Sequence, residues 1–249
     1  MRGGADGGGC FPTGQHYPGI AHLLRVVAAG LAREFGGDHP VKELPLVSID
    51  TETTGRREAE ARIVEVACVY YRDGAIGERR SWLINPGCPI PEEAFAIHKI
   101  SDDDVRDKPR FEEVAPELIE ALFGHVPLAY NADFDKKFLV AEFARAGQSP
   151  EPVPPALRPD VVWVDPLDWA RELQRTSKSK ALGEVCARLG IEIGQAHRAA
   201  DDAAAALKVL MAFWDDPKVP RTYAAFMQEQ QRLARRFEEQ RKLWRSRQS

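Results

Sequence analysis

Three short stretches of this 249-residue chain carry side chains able to hold a divalent cation. The first is Asp50-Thr51-Glu52-Thr53-Thr54-Gly55, which follows the apolar run Leu46-Val47-Ser48-Ile49. Residues two apart on a strand face the same side, so Asp50 and Glu52 point together. Two neighbouring carboxylates repel unless a proton or cation lies between them, and hard oxygen ligands in that arrangement suit Mg²⁺ or Mn²⁺. The second stretch is Asn131-Ala132-Asp133-Phe134-Asp135, at an expected strand-to-helix junction. Asp133 is placed to cap that helix, which is its preferred reading. Asp135 either turns back toward the strand ends or serves as a first-turn acid favoured by the helix dipole. Phe134, an aromatic at a helix start, is expected to pack inward. The third is His197-Arg198-Ala199-Ala200-Asp201-Asp202, opening an alanine-rich helix. Adjacent residues on a helix diverge, so at most one of Asp201 and Asp202 reaches a common site. His197 precedes the helix in a loop, and histidine as a residue type, titrating near neutrality, suits a proton acceptor.

Periodicity supplies the elements that would position these groups. Leu46–Ile49 reads as a buried strand. Residues 62–71 read as a second strand, Asp73-Gly74 as a tight turn and residues 77–85 as a third strand, forming an antiparallel meander. Residues 111–123 show helical spacing, Val126–Tyr130 reads as a strand and Asp133–Ala146 as a helix. Val161–Val164 reads as a buried strand, with helices over Leu182–Leu189 and Asp201–Trp214. Strands alternating with helices late in the chain imply parallel pairing beside the antiparallel hairpins, and so a mixed sheet with helices on both faces. Carboxylates at strand ends and at a helix start then gather where open α/β sheets place ligands.

On these residues the chain resembles the DEDDh exonucleases, a family that includes the proofreading subunit of bacterial DNA polymerase III, ribonuclease T and oligoribonuclease. The motifs stand as DTETTG at 50–55, YNADFD at 130–135 and HRAADD at 197–202, in the family's order. Ile97-His98-Lys99-Ile100 with Ser101-Asp102, and Leu182-Gly183-Glu184-Val185-Cys186 ahead of Gly190-Ile191, are similar to further family segments, so the likeness spans roughly residues 44–213. It implies a ribonuclease H-like fold, a five-stranded mixed sheet flanked by helices. It also implies two Mg²⁺ or Mn²⁺ ions. Asp50 would bridge them, Glu52 and Asp202 would complete the first site, and Asp135 would support the second. His197 would be the general base, and the reaction would be 3′→5′ hydrolysis that releases 5′-mononucleotides. Thr53 corresponds to the pocket for the terminal nucleotide, Asn131 lies beside the scissile phosphate, and His98 and Lys99 belong to the substrate-binding segment. Two positions depart from the pattern: Tyr130 stands where the family usually has His, and Lys99 where it usually has Gly.

Composition bounds the rest. The chain carries a net charge of −4, but Pro217–Ser249 holds nine Lys/Arg against three Glu, leaving −10 for residues 1–216. An acidic body with a basic tail fits a carboxylate-rich site plus a phosphate-attracting extension; a solvated helix is the plainer reading. Leu233, Phe237 and Leu243 would instead dock that tail on the domain or on a partner helix. The four cysteines form no CxxC pair, which argues against zinc and for reduced thiols. No apolar run approaches a membrane span, and Met1–Gly9 does not read as a signal peptide, so the protein is expected in the cytoplasm. The expected organisation is a glycine-rich segment with a short amphipathic helix (1–43, the helix over 19–35), a catalytic domain (44–214) and a basic helical tail (215–249). The expected partner is single-stranded nucleic acid with a free 3′ end, DNA favoured by the Thr-Thr-Gly after Glu52, alongside a DNA polymerase or another replication or repair protein. An RNA-trimming enzyme of the same family and a catalytically silent binding module are the alternatives.

Overall fold

The computed structural model describes residues 30–194 and 198–247. Three strands, β1 (Leu46–Thr53), β2 (Ile63–Arg72) and β3 (Ala75–Leu83), form the expected antiparallel meander. The β2–β3 turn puts Asp73 (φ 54°) and Gly74 (φ 83°) both in the left-handed region, which suits the right-handed twist of a two-residue hairpin. After the short helices α1 (Glu92–His98) and α2 (Asp102–Val105) comes α3 (Phe111–Leu122). Strand β4 (Val126–Leu128) then pairs parallel to β1, giving the order β3-β2-β1-β4. The remaining helices are α4 (Ala132–Arg145), α5 (Pro166–Leu173), α6 (Leu182–Leu189), α7 (Ala199–Phe213) and α8 (Tyr223–Ser246). Among the described residues no helix is long and apolar enough to cross a membrane.

Among the described residues the sheet has four strands rather than five. The expected strand over Val161–Val164 is extended but reduced to two isolated parallel bridges, Gly30 with Val161 and Leu128 with Val164. Its neighbour β4 is three residues long with Pro127 at its centre, and a proline has no N–H to continue a ladder. Other groups satisfy the backbone instead. Gln230 of α8 donates its amide to Trp163 O (2.9 Å) and accepts from Asp165 N (2.9 Å), and only Val164 keeps ladder bonds toward β4, donating to Pro127 O (2.9 Å) and accepting from Ala129 N (3.1 Å). The segment 30–35, expected to finish a helix, is not helical. Gly30 sits at φ +89°, where a Cβ would meet Val162 at 2.8 Å, and Leu31 and Ala32 are buried, with Ala32 N donating to the Tyr223 hydroxyl. The rest of that expected helix lies outside the described residues.

Strand alternation divides β1 between two cores. Val47 and Ile49 face α3 and α4, packing with Phe111, Val114, Leu118 and Phe138. Leu46 faces the other layer, where α5, α6, α7 and α8 contribute Trp169, Val185, Leu207 and Phe226. The centre of that layer is the run Ala203–Ala206 of α7, each residue at most 2% exposed. Side chains this small let α7 approach the sheet closely. Helix α8 docks through Tyr223, Phe226, Met227, Gln230 and Leu233, a helical stripe. Gln230→Ala would leave Trp163 O and Asp165 N unpartnered inside the fold. It is expected to lower unfolding stability by roughly 2–4 kcal/mol, read by urea titration; an unchanged midpoint would show that the amide does not tie α8 to the domain.

Candidate active site

The chain turns from structure to chemistry at the end of β1. Asp50 and Glu52 share the face that looks toward α7, and the first turn of α7 brings Asp202 to them. One carboxylate oxygen from each of these three residues lies within 4.8 Å of the other two. Thr51 points to the opposite face, where Asp135 of α4 meets it: Asp135 Oδ1 accepts from both Thr51 N (2.9 Å) and Thr51 Oγ1 (2.8 Å). Asp135 thus reaches the strand end from the other layer, and its charge is felt at Asp50. Asp201 diverges, as adjacent helical residues must, and pairs with Arg79 of β3 (3.0 Å). The register of β1 against β2 slips between Glu52 and Thr53, an irregularity that re-aims the side chains beyond it.

A fifth carboxylate stands close by. Glu65 pairs across the sheet with Glu52 and is 2% exposed. Its Oε1 accepts from Ser81 Oγ (2.6 Å) and faces Arg198 Nη2 (3.4 Å), which links β2 and β3 to the start of α7. Sequence reasoning singles out neither Glu65 nor Arg198. The signal available is a lone glutamate inside the apolar run of β2, whose first seven residues are all buried. His197 lies outside the described residues.

Crowding sets the electrostatics. Burial first, then the charges of Asp135, Glu52, Asp202 and Glu65, hold the Asp50 carboxyl well above the ordinary range. Burial and then Asp202, Glu65 and Asp135 push Glu52 up to about 8, with Arg198 opposing. Burial also raises Asp135 to about 7 against the two Thr51 hydrogen bonds. Without a cation, these groups are acids reluctant to ionise. The donor set, hard oxygens converging on one point, fits a divalent cation such as Mg²⁺ or Mn²⁺.

Beside the cluster is a cavity of about 670 Å³, walled by Thr53, Thr54, Arg56, Ile97, His98 and Phe134 among others. Glu52 and Asn131 also line it. Phe134, expected in the core, does both jobs: its ring packs on Phe138 (centroids 4.8 Å apart) and its other side is cavity wall. His98 is buried. Its Nδ1 accepts from Ile100 N (3.0 Å); burial lowers its pKa while the Thr53 carbonyl and Glu65 pull it upward. Lys99 is not part of the wall. It ends α1 in the left-handed conformation (φ 60°), the backbone state that explains a glycine at this position in the family pattern, and its ammonium lies 5.8 Å from the Phe95 ring centroid. Tyr130 points away from the cavity and donates to Lys180 O (2.5 Å).

The expected cap of α4 by Asp133 is not formed. Asp133 is exposed within the first turn, and the cap is a residue distant in sequence: Asp165 accepts from Asn131 N (3.0 Å), Ala132 N (3.0 Å) and, as N-cap of α5, Leu167 N (2.9 Å). One carboxylate therefore serves two helix starts. The Asp165-Pro166 pair is a local cap signature for α5, but the second role depends on tertiary contact. Asn131, held through its own N–H, takes a left-handed conformation (φ 70°) at the cavity edge.

An open α/β sheet with acidic groups gathered at one strand end is the ribonuclease H-like arrangement. The family model described as Exonuclease matches residues 47–210, and the chain belongs to that family. It is 33% identical over 162 residues to the DNA polymerase III epsilon subunit of Treponema pallidum, covering 65% of this chain and 73% of that protein. It is 31% identical over 172 residues to the PolC-type DNA polymerase III of Bacillus cereus, covering 68% of this chain but only 11% of the polymerase. Escherichia coli exonuclease I, solved in complex with a dT13 oligonucleotide, superposes with a TM-score of 0.60 at 21% identity, over 70% of this chain and 41% of that one, a likeness of fold.

The raised pKa values carry a sign. A carboxyl whose folded pKa exceeds its ordinary value near 4 leaves the folded chain with more bound protons than the unfolded one, so stability falls as pH rises between the two. With Glu52 at about 8 and Asp135 at about 7, the thermal midpoint in EDTA is expected to drop steadily from about pH 5 to pH 8. Asp50→Asn removes one of the repelling charges and is expected to raise the midpoint at pH 8. A flat profile for the parent chain would show that the carboxylates do not repel as their placement implies.

Proposed function

We propose that this chain is a metal-dependent 3′→5′ exonuclease that hydrolyses single-stranded nucleic acid, DNA by preference, and releases 5′-mononucleotides. The observation that carries the reading is the convergence of Asp50, Glu52 and Asp202 on one point, beside a cavity large enough for a terminal nucleotide. Asp50, Glu52 and Asp202 would hold one ion, and Asp135 would help to hold a second. Bound divalent cations would supply positive charge to the scissile phosphate and to the attacking and leaving oxygens.

The protein's own groups do the rest. Thr51 fixes Asp135 through two hydrogen bonds, so that carboxylate needs little reorganisation. Thr53, His98 and Phe134 enclose the terminal nucleotide, and Asn131 approaches the scissile phosphate at the cavity edge. His197, directly before Arg198, takes the proton of the attacking water. Lys99 borders the same substrate from the end of α1. Because this chain covers about three quarters of an epsilon subunit and a tenth of the PolC-type polymerases, association with a DNA polymerase belongs to the proposal too.

The test is cleavage of 3′-labelled and 5′-labelled single strands of DNA and of RNA in Mn²⁺, Mg²⁺ and EDTA. Stepwise shortening from the 3′ end is expected in either metal and absent in EDTA. Asp50→Ala is expected to lose roughly 10³-fold or more, as several kcal/mol of transition-state stabilisation would go with it. His197→Ala is expected to lose about 10²–10⁴-fold. The DNA/RNA rate ratio decides between the DNA enzyme and the RNA-trimming one. Folded protein that binds both strands and cleaves neither would leave a binding module.

A further inference from the structure

Three concavities on this protein share walls. The cavity beside the carboxylates, about 670 Å³, meets a groove of about 470 Å³ at Asn131. That groove runs between the start of α4 and helix α8, and it meets a third hollow of about 460 Å³ at Arg171 and Phe237. The middle groove is close to neutral, since Asp168 pairs with Arg171 (2.8 Å) and Glu238 with Arg241.

The far hollow is different. Its walls are Arg171, Arg175, Lys180, Arg236, Phe237 and Gln240, four cations with no carboxylate among them. Behind the wall, Glu172 alone serves both Arg175 and Arg236, and Asp168 serves Arg171. Lys180 has no carboxylate partner among the described residues and donates to the Ser177 carbonyl. Burial, then the neighbouring Arg188 and Arg171, lower its pKa. Four cations against these two carboxylates leave a net positive charge that a further anion would offset. The arginines also flank an aromatic ring: Arg236 lies 4.8 Å and Arg171 5.8 Å from the centroid of Phe237. On α8 the stripe through Phe237 continues to Gln240, Arg241 and Trp244, and Trp244 is 61% exposed.

We propose that this basic hollow and Trp244 form a second nucleic-acid contact, which holds the single strand on the 5′ side of the nucleotides being removed. Phosphates lie against Arg175, Lys180 and Arg236, and a base stacks on Trp244. Cations that track a backbone, interleaved with aromatic faces, are the means by which proteins hold single strands without regard to sequence. A net cationic hollow joined by a continuous groove to an acidic catalytic cluster favours the substrate's own phosphodiester chain over a protein partner. The identity of the strand rests on the exonuclease reading above; the anion-binding character of the hollow does not.

The test uses the full chain, its Arg175→Gln/Lys180→Gln variant and the separate Trp244→Ala variant, which alters only an exposed side chain. Binding of a 5′-fluorescein-labelled single strand of about 20 nucleotides is measured by anisotropy in EDTA over a range of salt. Hydrolysis of that strand and of thymidine 5′-monophosphate p-nitrophenyl ester, which is too small to leave the first cavity, is measured in Mn²⁺. Both variants are expected to bind the long strand roughly tenfold or more weakly. The double variant is expected to flatten the log–log salt dependence by about 0.7 for each phosphate it no longer neutralises. KM for the long strand rises while the small ester is hydrolysed as by the parent. Affinity and salt slope equal to the parent's in both variants would overturn the proposal, as would a parent chain that binds no strand. A parent that binds through the hollow yet cleaves nothing would refute the exonuclease reading and leave this second binding surface standing.

Discussion

Carboxylates do not gather unaided. Asp50, Glu52, Asp135, Asp202 and Glu65 come from two strands and two helices on opposite faces of the sheet, and they repel one another at the end of β1. Several features of the surrounding structure answer that repulsion. The alanine run Ala203–Ala206 seats α7 closely on the sheet, so that Asp202 arrives beside β1. Thr51 grips Asp135 from backbone and hydroxyl together. Arg198, at the head of α7, faces Glu65 and offsets the charges that crowd Glu52.

The scaffold also carries charge pairs that keep their distance from the cluster. Glu142 of α4, 1% exposed, takes a two-pronged contact from Arg62 (2.7 and 2.9 Å) and a further bond from Ile63 N (3.2 Å). This pair ties the start of β2 to α4 just beyond the bulge at Thr53. A buried ion pair contributes little net stability against an apolar substitute, but breaking it strands a charge. Its value here is register: β1, β2 and α4 must meet in one arrangement for Thr51 to find Asp135.

The parts legible from sequence are those governed by local period. Strand parity puts Asp50 and Glu52 on one side, helical spacing separates Asp202 from Asp201, and Leu182–Leu189 begins and ends where its pattern does. What stays hidden depends on contacts between distant segments. Val161–Val164 has the composition of a strand, yet Pro127 offers it no N–H and Gln230 takes the outward Trp163 carbonyl. Asp133 has the position of a cap, yet Asp165 arrives from 33 residues away with better geometry. Phe134 has the hydrophobicity of a core residue and spends half of it on a cavity wall. Leu233 is buried as a docking residue should be, whereas Leu243 is 59% exposed, so only the first part of α8 is anchored.

Asp165 shows why the C-terminal helix cannot be treated as an appendage. Its backbone N–H is held by Gln230 of α8, while its carboxylate holds Asn131 and Ala132 at the edge of the cavity beside the carboxylates. Burial and the neighbouring Asp168 raise its pKa to about 7 even though it accepts three backbone hydrogen bonds. A protonated carboxyl would give up acceptor strength at both helix starts, loosening the left-handed turn at Asn131. The position of α8 is therefore transmitted to the cavity edge through two hydrogen-bonded residues, Gln230 and Asp165. The same helix that lines the outer groove thus helps to set the geometry of the inner one.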